Sequence, residues 1–165
     1  MSSKGLVFWI VLVFVIISLI NFVLARLVWV RGESVKYFLF LREERKELKK
    51  GDYVLVKGKP GTYAEGKILT KKVMCLYPYR LKKEGLSFYC CSVLECEYLH
   101  TAQRKSLKGK DLYIFHPCRN GEESCIVEIP EGKYYLGTDV PIGYDSRYMG
   151  FFDRAEIISV LFPLF

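Results

Sequence analysis

Histidine is scarce in this sequence, two in 165 residues, and none of the six cysteines forms a Cys-x-x-Cys pair. His100 and His116 stand at no zinc-ligand spacing, so the pattern argues against a structural metal, and no cofactor motif is present. Internal repeats and low-complexity tracts are also missing. A net charge of +7 and a pI near 9.1 come with no basic helix and no nucleic-acid signature, so nucleic acid is not expected as a partner. An anionic membrane surface accounts for the charge more economically. Only one apolar run is long, and the remainder of the chain suits one soluble domain rather than two.

That run, from Gly5 to Ala25, is uncharged and bounded by Lys4 and Arg26. At about 1.5 Å per helical residue it covers about 30 Å, the hydrocarbon thickness of a bilayer. A transmembrane helix is expected over residues 1–30. The alternative, a cleaved signal peptide, fits poorly, because the apolar part exceeds an h-region and Val23-Leu24-Ala25 is a weak cleavage site. Arg26, Arg31 and Lys36 come after the helix, which by the positive-inside rule alone would keep the domain in the cytoplasm.

Downstream, aromatic residues are 15% of the chain and alternate with short Val/Ile/Leu runs, which predicts a mainly β domain over residues 31–165. Strands are expected at Tyr53–Lys57, Lys67–Leu76, Cys125–Pro130 and Lys133–Gly137, and a helical turn in the charged run Arg42–Lys50. Residues 79–124 read as an inserted β region whose Lys-rich connectors face solvent. The terminal apolar segment is too short to span a bilayer and is expected as a core strand or a surface-dipping edge.

Disulfides suit the six cysteines if the domain lies outside the cytoplasm, with reduced core cysteines as the alternative. Cys118 and Cys125 flank a turn-like segment and are the first candidate bridge. The neighbours Cys90 and Cys91 point to opposite faces of a strand, so at most one readily reaches Cys96.

Gly143-Tyr-Asp-Ser-Arg-Tyr-Met-Gly150 sets an acid and a base two residues apart between aromatics and glycines, as in a firmly held loop. Three elements then fall in order: Ser34 soon after the apolar run, Lys71-Lys72-Val73 on a strand, and this loop. Together with Lys50-Gly-Asp-Tyr-Val-Leu-Val56, Ile129-Pro-Glu-Gly-Lys-Tyr-Tyr135 and Phe162-Pro-Leu-Phe165, the set resembles peptidase family S26. That family includes bacterial signal peptidase I, and the resemblance is greatest to its conjugative-transfer branch, the TraF-type pilin-processing peptidases.

The resemblance implies a membrane-anchored serine endopeptidase of Ser/Lys type, with its catalytic domain on the exported, periplasmic side of the inner membrane. Its partners would be the lipid membrane and a secreted or pilin-like precursor. Ser34 would be the nucleophile and Lys71 the general base, with Asp145 as the third catalytic residue, stabilising the site through Arg147, which supports it. Lys71 and Lys72 face opposite ways on a strand, so only one can enter the site, and Lys72 is the alternative base. A free lysine, with a pKa of about 10.4, is protonated at neutral pH, and bringing it to about 7 by burial costs roughly 4–5 kcal/mol.

The chain departs from the signal peptidase I pattern where Ser34-Val35-Lys36-Tyr37 replaces Ser-Met-x-Pro, and where Gly143 stands two residues before Asp145 in place of a small hydroxyl residue. Two other readings stay open: a general signal peptidase I, and a non-catalytic assembly protein that binds pilus or secretion components.

Overall fold

A computed structural model describes residues 3–31, 34–44, 47–118 and 122–165. Helix α1, Ser3–Leu24, carries the apolar run. Its span Val7–Leu24 has a mean hydropathy of 3.0 and is nowhere buried against the rest of the chain. By length and composition it can cross a membrane.

The rest is mainly β and forms two antiparallel sheets. The larger contains β1 (Leu27–Trp29), β2 (Leu39–Glu43), β3 (Tyr53–Lys57), β4 (Ile68–Leu76), β9 (Lys133–Gly137), β10 (Phe152–Asp153) and β11 (Ile157–Pro163). Their spatial order is β1-β2-β11-β3-β4-β9-β10. The smaller sheet contains β5 (Arg80–Glu84), β6 (Ser87–Cys91), β7 (Cys96–Thr101) and β8 (Ser124–Glu128), in the order β7-β6-β5-β8.

Strand β3 lies near the middle of the larger sheet, and its run Tyr53-Val-Leu-Val56 is buried throughout. Val54 and Val56 face a core with Val73, Leu136 and Phe152, while Tyr53 and Leu55 face a second cluster with Val35, Phe40 and Leu161. This is the period-2 division expected of a strand covered on both faces. The terminal apolar segment is β11, an interior strand between β2 and β3.

Among the described residues of Arg42–Lys50 no helical turn is present. Arg42 and Glu43 belong to β2, which pairs with β1 on one side and β11 on the other and buries Phe40 completely. Ladder bonds on both edges outweigh the local helical preference of a charged run. Arg45 and Lys46 of that run lie outside the described residues, as do Gly32 and Glu33 beside Ser34.

The structure joins Cys118 to Cys125, Cys91 to Cys96, and Cys75 to Cys90. The first bridge and the opposed facing of Cys90 and Cys91 match expectation. Cys75–Cys90 ties β4 of the larger sheet to β6 of the smaller one.

Candidate active site

The Gly143–Gly150 loop contains a single helical turn, α2, Ser146–Met149. Asp145 is its N-cap, accepting from the Arg147 amide at 3.0 Å. The same carboxylate takes a two-pronged grip from the Arg147 guanidinium, with Nε to Oδ1 and Nη2 to Oδ2 both 2.8 Å. The remaining guanidinium protons go to carbonyls: Nη1 donates to Thr101 at 2.8 Å and Pro141 at 2.6 Å, and Nη2 to Gly143 at 2.7 Å. Both side chains are completely buried. This is the condition under which a buried ion pair is tolerable, because every donor has an acceptor. Burial alone would lower the Arg147 pKa, but the hydrogen bonds and charge of Asp145 prevail and hold it above the ordinary arginine value.

The turn is pinned to its surroundings at three further points. Leu136 N of β9 donates to Ser146 Oγ at 2.8 Å, Phe115 N to Arg147 O at 2.7 Å, and Gln103 N to Tyr148 Oη at 2.9 Å. Gly150 closes it at φ +71°, where a side chain would also press on the Phe115 ring. The loop that the sequence marked as firmly held is a clamp between β9 and the strand ends of the smaller sheet.

Lys71 lies on β4, directly across from Val54 of β3, and is 2% exposed. Burial is the main influence on its amine; the Asp145 charge opposes that effect and the Arg147 charge adds to it. The net result lowers its pKa from 10.5 to about 8. Lys72, one step on, turns to the other face and reaches Asp139 Oδ1 at 3.2 Å. The alternation places Lys71 in the interior and commits Lys72 to a carboxylate.

Ser34 is partly exposed at the turn leading to β2. It and Lys71 line one cavity of about 280 Å³, walled mainly by Val28, Val30, Leu55 and Leu69. Among the described residues no hydrogen bond joins Ser34 Oγ to Lys71 Nζ. Three larger cavities among the described residues, about 600, 510 and 410 Å³, contain neither residue.

Asp139 was not singled out by sequence reasoning, yet it fastens the Ser34 segment. Its amide donates to Ser34 O at 3.0 Å, and its Oδ2 accepts from Lys36 N and from Tyr53 Oη, each at 2.8 Å. Partial burial pushes the Asp139 pKa up, but these donors and Lys72 hold it below the ordinary carboxylate value. The Tyr53 phenol is raised by burial and by the Asp139 bond. The only local signal was an acid two positions beyond a strand end, since Lys36 lies 103 residues away in sequence. His100, 8% exposed with Nε2 unpartnered, packs where a Gly137 side chain would stand and was not anticipated either.

The fold and the clamped Asp145–Arg147 loop define a mainly β domain behind an apolar helix. Residues 3–165 match the family described as signal peptidase, peptidase S26, and the chain belongs to that protease family. A solved signal peptidase I from Enterococcus faecalis V583 matches at 19% identity and a TM-score of 0.41, covering 71% of this chain and 98% of that one. Comparison with curated protein sequences gives no match.

Proposed function

We propose that the chain is a membrane-anchored Ser/Lys endopeptidase in which Ser34 is the nucleophile and Lys71 the general base. Helix α1 serves as the anchor, and the sheet domain that begins with β1 (Leu27–Trp29) is the catalytic domain. The observation that carries the reading is the lysine: a buried amine with its pKa lowered to about 8, in the wall of the same cavity that Ser34 lines. An amine in that state is neutral often enough to accept a hydroxyl proton. Ser34 Oγ adds to the scissile carbonyl as Lys71 takes its proton. The proton then passes to the departing amine, and water releases the acyl group from Ser34. Asp139 holds the backbone of Ser34, and the Asp145–Arg147 clamp holds the floor beneath Lys71.

The substrate is an extended segment of a secreted or pilin-like precursor, cut at the membrane surface, with small side chains facing the cavity. A place in conjugative transfer rests on the motif set with Ser34-Val35. Three disulfides using all six cysteines support the exported side over the cytoplasm.

One observation favours the non-catalytic assembly reading, namely that Ser34 and Lys71 are not hydrogen-bonded here. Ser34→Ala and Lys71→Ala in the full-length protein decide between the two. Each is expected to abolish processing of a co-expressed precursor while the protein still accumulates in the membrane; normal processing by either variant overturns the assignment.

A further inference from the structure

The β4–β9 ladder ends where Lys72 pairs with Gly137, and continuing its antiparallel register by one residue would set Thr138 opposite Lys71. The two flanking side chains confirm which face each occupies. Lys72 and Asp139 meet on the outer face at 3.2 Å, whereas Lys71 and Thr138 turn inward, 2% and 0% exposed. Directly opposed residues on one face have Cβ atoms about 5 Å apart.

Gly143 is shaped around the same hydroxyl. A Cβ placed there would stand 2.1 Å from Thr138 Oγ1, so Thr138 fills the space that a side chain at 143 would take. Thr138 Oγ1 donates to Val140 O at 2.7 Å and lies 3.3 Å from Asp145 Oδ2. With its one proton committed, the oxygen retains lone pairs; the Arg147 guanidinium nearby has all its protons engaged, which leaves the buried Lys71 amine as the cation that could donate to it.

We propose that Thr138 is the positioning residue for Lys71: its hydroxyl oxygen accepts an N–H of the amine and so turns the nitrogen lone pair toward Ser34. In this structure the contact is not closed, and the flexible lysine stem supplies the movement. The proposal rests on the Ser34/Lys71 reading and adds to it the group that orients the base.

The test uses the full-length protein in detergent micelles, with the Lys71 side chain followed by ¹³C NMR and assigned through Lys71→Met. Thr138→Val removes the acceptor while keeping the shape; the Lys71 amine is expected to titrate roughly 1 pH unit lower. Thr138→Ser is expected to leave it in place. Precursor cleavage is expected to fall about tenfold or more in Thr138→Val, to persist in Thr138→Ser, and to return in part when Thr138→Ala is combined with Gly143→Ser. An unchanged Lys71 titration in a folded Thr138→Val protein overturns the proposal. The titration stands apart from catalysis: if Ser34→Ala cleaves normally, the dyad reading falls while the Lys71–Thr138 contact is still decided by NMR. If Thr138→Val does not fold, a shifted Lys71 titration in Thr138→Ala/Gly143→Ala supports the contact, and an unshifted one overturns it.

Discussion

Replacing Lys71 with Met is predicted to make the protein more stable and inactive. An amine whose pKa falls from 10.5 in the unfolded chain to about 8 in the fold carries a penalty wherever the unfolded chain holds its proton more firmly. At 1.36 kcal/mol per pH unit this is about 3 kcal/mol. The sign is set by the direction of the shift. Below pH 8 the amine is protonated in both states, and the full penalty acts against folding. Between pH 8 and 10.5 the folded protein has lost the proton and the unfolded chain has not, so the penalty fades as pH rises; above 10.5 it is gone. Methionine fills nearly the same volume without a charge, so Lys71→Met should exceed the parent by about 3 kcal/mol at pH 7 and by little at pH 10.5. Chemical unfolding of both proteins in the same micelles across that range measures the difference. Equal stability at pH 7, or a gap that does not narrow with pH, refutes the reasoning that Lys71 is held at a cost for its chemistry.

The same geometry sets other outcomes. Arg147→Leu strands the fully buried Asp145 carboxylate and should cost about 3–5 kcal/mol, read as a lowered unfolding midpoint. Gly143→Ala drives its Cβ into Thr138 and should destabilise by about 1–3 kcal/mol, with Thr138→Ala restoring most of the loss. Opening Cys75–Cys90 by a double Ser substitution should cost about 3 kcal/mol, as for a closed loop with 15 residues of separation. Cleavage of a precursor at saturating enzyme should rise with pH through about 8, as Lys71 loses its proton.

Much of the fold was legible in the sequence, and the reasons differ by element. The interior strands were readable because Tyr53-Val-Leu-Val56 and Tyr134-Tyr-Leu136 are apolar and aromatic runs flanked by turn residues. Strand alternation said only that one of Lys71 and Lys72 could enter the site; the family resemblance named Lys71, and the structure buries Lys71. Strand β2 was missed because its charges suggested a helix, whereas its pairing comes from β1 and β11, the latter more than a hundred residues on. The roles of Asp139 and Thr138 were hidden for the same reason: their partners, Lys36 and the Gly143 loop, are brought to them only by the closed sheet. Cys118–Cys125 was visible as a short loop, but Cys75–Cys90 joins two sheets whose apposition no local pattern records.

The most direct measurement traps the intermediate itself. Full-length protein is mixed with excess precursor, quenched in acid within the first turnover, digested and mapped by mass spectrometry. The account predicts one acylated peptide, carrying the precursor's amino-terminal fragment as an ester on Ser34, and none in Ser34→Ala. Acylation of any other residue, or cleaved product accumulating with Ser34 unmodified and Ser34→Ala still active, contradicts it.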